Sequence, residues 1–544
     1  MATSLEIAQA ARLRPIEQIA HEAGLSSDHF EPLGRAKAKL TWSGVDHVRS
    51  QSPGKLILVT AMTPTPFGEG KTTTSVGLSQ GLQKIGRRAI PALRAPALGP
   101  VMGAKGGACG GGYSQVLPME DINLFFTGDF PAISAAHNLL SALLDAHIHH
   151  GNDLAIDVRQ ETWPRAVDMP DRALREIMVA LGGTANGYPR QDGFVITPAS
   201  EIMAIFGLSR TLAELKEALG RIVVGTTRAR KPITARDLKA DGAMTALLRD
   251  ALRPNLVQTL EGGAAMVHGG PFANIAHGTC SLLAIEGALG LAEFAVTEAG
   301  FASDIGAEKF MNLVIPRLGH HPAAIVLVVT LRAIRHHGEG SLEAGITNVR
   351  KHLDHLRQYG PPVVVAVNQF GDDGAEDLAF VRNWCADQGV ACAFSTGFAD
   401  GGEGCRELAE AVATAADAGS AFSPIHTDGM PMEERVEAVV QKVYGGTGVT
   451  WSEAATKKLA WIRKQGYGDM PICIAKTQYN FSDQADAGLD PKDFRIHVRE
   501  VRPSLGAGFV VMVAGDIMLM PGLSKTPGAH QIDVDSEGKI VGMF

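Results

Sequence analysis

A lysine and a threonine behind a glycine-containing turn are the first candidates for chemistry in this sequence. Lys71 and Thr72 close the stretch TPTPFGEGKTTT, residues 63–74. The stretch ends like the phosphate-binding pattern G-x-x-x-x-G-K-[ST], but Thr65 stands where that pattern has glycine. In such loops the lysine neutralises the β- and γ-phosphate oxygens and the hydroxyl holds Mg²⁺. The residue types indicate a nucleotide site with an altered loop; the alternative is an ordinary turn.

The sequence on either side of the turn favours the nucleotide site. A β-branched apolar run, KLILVTAM (55–62), precedes it and predicts a strand. A helical pattern over 72–86 follows, with Gly86 suited to a C-terminal cap. A helix that begins here directs its positive dipole end at phosphate. The predicted nucleotide-binding residues are Thr65, Pro66, Phe67, Gly68, Glu69, Gly70, Lys71 and Thr72, with Thr72 at the Mg²⁺ of ATP.

Continuous apolar runs predict an α/β fold with a mostly parallel sheet, because strands covered on both faces carry no polar alternation. Besides 55–62, the runs are 87–94, 323–331 and 361–370. The first 20 residues and the region 170–260, including DRALREIMVAL, TLAELKEALGRI and AMTALLRDAL, read as helical. We expect a P-loop NTPase-like domain and smaller α/β domains, divided as a helical segment 1–50, a nucleotide domain 51–360, a small α/β domain 361–424 and a C-terminal domain 425–544.

Two further features point to a small anionic ligand. Glycines are dense between 103 and 112, which suggests backbone wrapped around a charged ligand near Lys105, or else a flexible surface loop. Arg94 closes the predicted strand 87–94, at the carboxyl edge where ligands of such sheets bind. A guanidinium there donates two hydrogen bonds to a carboxylate or acyl phosphate. The alternative for Arg94 is a surface ion pair.

Composition excludes several classes of protein. The net charge of -8 gives no electrostatic reason to expect nucleic acid or an anionic membrane as a partner. The longest apolar runs are too short to span a bilayer, and the N-terminus lacks the apolar region of a secretory signal. Six cysteines without a CxxC pair fit a reducing cytoplasm. Eighteen histidines show no HExxH spacing, which argues against a dedicated transition-metal site.

Motifs along nearly the whole chain resemble formate–tetrahydrofolate ligase. Besides the loop stretch, they include GGGYSQVLPMEDINL, HGGPFANIAHG, VTEAGFASDIGAEKF, VVVAVNQF, AKTQY and GDIMLMPGL. The resemblance implies that ATP, formate and tetrahydrofolate give 10-formyltetrahydrofolate, ADP and phosphate through formyl phosphate. It also implies a cytoplasmic homotetramer activated by potassium or ammonium.

The resemblance assigns roles to individual residues. Lys71, Arg94 and Asp129 would act at the reacting centre, with Asp129 orienting or deprotonating the amine. Formate and folate would contact Arg94, Lys105, Tyr113, Phe370 and Phe398, with Phe370 stacked on the pterin ring, and the domain 361–424 would hold the folate pocket.

Four positions depart from the family pattern near the presumed chemistry. Ala95 replaces a polar residue, Phe125 and Pro131 replace two histidines, and Phe398 replaces a tryptophan that stacks on the pterin. These changes leave alternatives open: a divergent paralogue that uses another small acid or pterin, or a folate- or nucleotide-binding protein without catalysis.

Overall fold

The four predicted apolar runs become strands of one sheet. The computed structural model describes residues 2–66, 68–103, 107–488 and 490–543 of the chain. Its strands Lys55–Ala61, Ala89–Leu93, Ala324–Val329 and Val363–Asn368 are buried almost throughout, which confirms the α/β prediction. Alternate residues of one strand enter two separate cores: Leu58 packs on one face of the sheet and Val59 on the other.

The central part of the sheet is parallel. In sheet order, its strands are Ala264–Val267, Ala89–Leu93, Phe294–Glu298, Lys55–Ala61, Ala324–Val329, Val363–Asn368 and Ala391–Ser395. The strand before the candidate loop therefore lies between Phe294–Glu298 and Ala324–Val329. Because the strands are parallel, all their carboxyl ends lie along one edge.

Antiparallel strands extend the sheet beyond Ala264–Val267. They are Asn255–Thr259, Ala38–Leu40 and Phe30–Pro32, and the hairpin Gly110–Gly111 with Ser114–Leu117 pairs beside them. The predicted segment 1–50 thus contributes strands to this sheet, and the boundary predicted at 360/361 falls between two neighbouring strands of it.

Helices cover both faces of the sheet. Leu78 and Leu82 of helix Lys71–Lys84 share one core with helix Arg406–Asp417. The remaining helices of at least eight residues are Trp42–Ser50, Asp129–His149, Glu201–Leu208, Leu212–Gly220, Asp241–Leu248, Leu282–Leu291, Leu342–Arg357, Ala375–Asp387, Met432–Val439 and Glu453–Lys464. The described residues contain no helix long and apolar enough to cross a membrane.

Two helix predictions were wrong. DRALREIMVAL contains a 3₁₀ turn, Arg172–Leu174, and then the strand Ile177–Val179, which pairs with Arg190–Asp192. Its apolar spacing suits a helix, but tertiary pairing overrides that weak preference. The N-terminal stretch is split into Ser4–Ala10 and Ile16–Glu22, because Pro15 disfavours helical backbone at the residue before it.

A second, smaller sheet lies in the C-terminal region. Its order is Gly448–Trp451, Arg495–Ser504, Phe509–Ala514 and Ile472–Ala475. The turn between its two longest strands docks onto helix Glu201–Leu208. There Oε1 of Glu201 accepts the N–H groups of Gly506 (2.8 Å) and Ala507 (3.2 Å).

We expect this docking contact to depend on pH. Burial raises the pKa of the Glu201 carboxyl from 4.5 to about 7, so folding favours the protonated form. Its stabilising contribution is present below the ordinary pKa of 4.5 and is lost as the pH rises to about 7. Glu201→Gln keeps the accepting oxygen and removes the charge. It should raise the free energy of unfolding by ~1–3 kcal/mol at pH 8 and change it little at pH 5.

Urea unfolding followed by circular dichroism at the two pH values measures this difference. The same change at pH 5 and pH 8 would exclude a titrating Glu201.

Candidate functional site

Three of the predicted site features follow the carboxyl ends of parallel strands. The candidate loop follows Lys55–Ala61, Arg94 follows Ala89–Leu93, and Phe370 comes two residues after Val363–Asn368. They therefore lie along one edge of the sheet.

The backbone of the candidate loop needs its glycines. Gly68 and Gly70 have φ of 77° and 74°, in the left-handed region that favours glycine. A Cβ atom on Gly70 would lie 2.4 Å from Nδ2 of Asn368. That nitrogen donates to the carbonyl oxygen of Glu69 at 3.3 Å, so the strand Val363–Asn368 contacts the loop directly.

Thr65 fits where the usual pattern has glycine. Its φ is not in the positive range, and its N–H donates to Oε1 of Glu69 at 2.8 Å. The other oxygen of Glu69 accepts the hydroxyl of Thr330 at 3.0 Å. The buried Glu69 carboxylate therefore links Thr65 within the loop and connects the loop to Thr330, which follows the neighbouring strand. Phe67 lies outside the described residues.

Three side chains anchor the first residue of the loop, Thr63. Asn348 accepts the Thr63 N–H at 3.3 Å and donates to its hydroxyl at 2.9 Å. That hydroxyl also contacts Nε2 of His352 at 3.0 Å, and the Thr63 carbonyl accepts Nε2–H of His337 at 2.9 Å. Nδ1 of His352 contacts the hydroxyl of Ser303 at 2.7 Å, and Ser303 lies five residues after the strand Phe294–Glu298.

Glu298 connects the loop helix to Arg94. Its Oε2 accepts the hydroxyl of Thr72 at 2.8 Å, and its Oε1 lies 3.5 Å from Nη2 of Arg94. The Glu298 side chain is only 2% exposed. Sequence reasoning missed this residue, although an acidic residue at the end of the apolar run FAVTE was a usable signal.

Arg94 keeps unused hydrogen-bonding capacity. Its Nε is buried and has no hydrogen-bond partner within the described residues, and 24% of its side chain is exposed. The backbone of Gly300 approaches it closely, because a Cβ there would lie 2.9 Å from Nη1 of Arg94. The guanidinium is thus held against a glycine beside Glu298, with donor groups left for an anion.

Asp129 occupies a separate, buried polar cluster. Nζ of Lys39 lies 2.9 Å from its Oδ1, and Nδ2 of Asn255 donates to its Oδ2 at 2.7 Å. Burial lowers the pKa of Lys39, and the Asp129 charge opposes this shift. In the described part of the chain, no hydrogen bond or ion pair joins Asp129 to Arg94 or to the loop. Next to it, Phe130 lies against Gly270, which in turn lies against Ala95.

Predicted aromatic residues follow neighbouring strand ends. The guanidinium of Arg332 lies 4.1 Å from the centroid of the Phe370 ring. Phe398 is 42% exposed, and its carbonyl accepts the N–H of Tyr113 at 2.9 Å. A Cβ on Gly112 would lie 2.0 Å from that carbonyl oxygen, so one glycine of the dense run is required by backbone packing. Lys105 lies outside the described residues.

The other departures from the family pattern have different surroundings. Ala95 is buried, and its N–H donates to the carbonyl of Gly269 at 2.7 Å. Phe125 is 65% exposed. Pro131 is exposed in the first turn of helix Asp129–His149, where its missing N–H has no helical partner to lose. No group of three or more His, Cys, Asp or Glu residues within the described ranges is placed to hold a metal ion.

Comparisons with known proteins identify full-length relatives. A family model described as formate–tetrahydrofolate ligase matches residues 2–544. Proteins of that name are similar to this chain over 100% of both lengths: 52% identity in a Nocardioides species, 50% in Methylibium petroleiphilum and 49% in Paracoccus denitrificans.

The buried pair of Lys39 and Asp129 predicts a large stability effect. Asp129→Ala leaves the Lys39 ammonium buried without its counter-charge, which should cost about 3–5 kcal/mol of unfolding free energy. Replacing both residues by apolar ones (Lys39→Met with Asp129→Leu) should restore most of that loss.

Urea unfolding of the single and double variants measures both effects. Lys457→Ala is the control, because that lysine is 70% exposed in its ion pair with Glu453 and its loss should cost less than about 1 kcal/mol. Equal effects of Asp129→Ala and Lys457→Ala would contradict the prediction.

Proposed function

This chain belongs to the formate–tetrahydrofolate ligase family, and from that premise we propose that it uses ATP to ligate formate to tetrahydrofolate. The observation that carries the proposal is the contact of Glu298 with both Thr72 and Arg94. Through this contact, the candidate phosphate loop and the Arg94 guanidinium lie on either side of the Glu298 side chain. A guanidinium suits a small carboxylate as its ligand. Full-length identity near 50% to proteins of that name does not favour a divergent or non-catalytic alternative.

The loop supports binding of the ATP phosphates. Gly68 and Gly70 allow the backbone to turn its N–H groups inward, and the helix beginning at Lys71 presents its positive end there. Lys71 is the first residue of that helix, the place where the lysine of a phosphate-binding loop stands, and its ammonium would neutralise the terminal phosphate oxygens. The Thr72 hydroxyl, held by Glu298, suits the Mg²⁺ that accompanies ATP and stabilises its phosphate charge.

Arg94 would bind formate and present it to the γ-phosphate. A carboxylate oxygen of formate attacks the γ-phosphorus, the bond from phosphorus to the β–γ bridging oxygen breaks, and ADP leaves. The product is formyl phosphate, whose charge the same guanidinium stabilises. Here catalysis consists of positioning and charge stabilisation, which the rigid contacts of Glu298 and Gly300 favour.

The second step transfers the formyl group to the folate. The N10 amine attacks the carbonyl carbon of formyl phosphate, the carbon–oxygen bond to phosphate breaks, and the proton of the amine passes to the released phosphate or to water. Phe370 and Phe398 follow neighbouring strand ends and offer ring faces for the pterin, with Tyr113 beside Phe398. Lys105 stays a predicted substrate contact.

Asp129 at the amine also stays a prediction. Its hydrogen bonds to Lys39 and Asn255 favour a positioning role, because both of its oxygens already have partners. Phe130, the residue after Asp129, lies against Gly270, and Gly270 lies against Ala95, the residue after Arg94. Packing therefore links the position of Asp129 to that of Arg94.

The assembly and the activating ion belong to the same proposal. We expect a cytoplasmic homotetramer activated by potassium or ammonium, on the strength of family membership. Light scattering of the purified protein measures the assembly, and assays in potassium and sodium salts measure the ion dependence.

Lys71→Ala tests the phosphate loop. Removing a charge that acts on the transferring phosphoryl group should lower kcat/KM by at least about a hundredfold. The assay measures formate-dependent ADP release together with formyltetrahydrofolate, read as its methenyl derivative in acid. Lys84→Ala, at the other end of the same helix, is the control and should leave the rate unchanged. Retained activity of Lys71→Ala would exclude the loop as the phosphate site.

Arg94→Lys tests the formate site. Lysine keeps the charge but loses the two-pronged donor geometry, so the KM for formate should rise about 10–100-fold. The KM for ATP should stay within about twofold, since no contact with the loop backbone is lost. Arg87→Lys is the matched control, because Arg87 precedes the same strand at the opposite edge and pairs with Glu293. An unchanged KM for formate would place the carboxylate elsewhere.

A further inference from the structure

An amphipathic cavity lies between the C-terminal sheet and the part of the chain around helix Glu201–Leu208. Its volume is about 420 Å³. Apolar side chains from both parts line it, including Trp163, Trp461, Phe509 and Leu519. None of the residues assigned to ATP, formate or folate lines it. A cavity of this size and character can enclose a small organic ligand.

Two cationic groups of the lining have unused hydrogen-bonding capacity. Nζ of Lys458 lies 5.2 Å from the Trp461 ring centroid, and Lys458 forms no ion pair within the described residues. Arg502 binds Glu500 through Nε (2.7 Å) and Nη2 (2.8 Å), while its Nη1 is buried without a partner. Burial lowers the pKa of Lys458, and the Glu500 charge opposes this. A buried donor without a partner is costly, and a bound anion would satisfy it.

Other polar groups of the lining restrict the ligand's charge. Both nitrogens of His137 already have partners, the hydroxyl of Ser200 and the carbonyl of Pro164. Glu500 and Glu201 also line the cavity, so a polyphosphate would meet more repulsion than a ligand with a single negative charge. The Trp461 ring is held by its Nε1–H, which donates to the carbonyl of Arg230 at 2.9 Å.

We propose that this cavity binds a small amphipathic anion, an apolar ring system carrying one carboxylate or sulfonate. The rings would pack against Trp461 and the aliphatic lining, while the anionic group would accept hydrogen bonds from Lys458 and Arg502. The site is separate from the ligase site and does not depend on the function assigned there.

Two probes that share a ring system test the proposal on the full chain. 8-Anilinonaphthalene-1-sulfonate carries the anionic group, and N-phenyl-1-naphthylamine lacks it. We expect saturable binding of the sulfonate by fluorescence, about tenfold or more tighter than the neutral probe. Saturating ATP and tetrahydrofolate should not displace it. Displacement by either would place the probe in the ligase site and overturn the proposal.

Neighbouring lysines provide the matched variants. Lys458→Met should weaken sulfonate binding by about tenfold and leave the neutral probe within about twofold. Lys457→Met removes a lysine that is 70% exposed and paired with Glu453, so both affinities should stay unchanged. Formate-dependent ADP release shows that each variant is folded. Equal sulfonate affinities in the two variants would overturn the proposal.

A cavity-filling variant provides an independent check. Ala199 lines the cavity, and Ala199→Phe should abolish binding of both probes by occupying the space. Wild-type sulfonate binding in a folded Ala199→Phe protein would overturn the proposal. Should that variant not fold, the two lysine variants decide.

Discussion

One buried carboxylate, Glu298, sets the geometry on which the rest of the site depends. A carboxylate that is 2% exposed is costly unless it is paired and hydrogen-bonded. Here the Thr72 hydroxyl and the Arg94 guanidinium supply those partners. Because the buried Glu298 carboxylate is stable only with both partners, it fixes the start of the loop helix relative to the Arg94 guanidinium before any ligand binds.

The order of the strands in the sheet brings further residues into contact with the loop from both sides. The strand that ends at Glu298 lies on one side of the loop strand, and the strand before Thr330 lies on the other. Glu69 binds Thr330, and Asn368 binds the Glu69 carbonyl from one strand further along. Residues 226 and 261 positions apart in sequence thus hold a short loop from both sides. Such preorganisation is what a reaction governed by positioning requires.

Local patterns were sufficient for the parts of the structure that depend on short-range physics. Buried strands carry continuous apolar runs, so four strands of the sheet and the loop between a strand and a helix could be predicted. The position of Glu298 beside the loop could not be predicted. It depends on the order of the strands in the sheet, and local patterns in a single sequence do not show that order. The same reason hid the pairing of Asp129 with Lys39, whose partners lie 90 residues apart. The helix expected over 171–181 failed because its apolar spacing fits a strand pair equally well.

The hydrogen bonds that anchor Thr63 lead into a buried chain of two histidines. The Asn348 amide accepts the Thr63 N–H and donates to its hydroxyl, and that hydroxyl also contacts Nε2 of His352. Nδ1 of His352 contacts the Ser303 hydroxyl, which also contacts Nδ1 of His355. Burial holds the pKa of His352 well below 6.5 and that of His355 at about 3, so both rings stay neutral. The anchoring of the loop should therefore not change with pH across the neutral range. This holds although histidine, the side chain most often used as a pH sensor, provides the anchor.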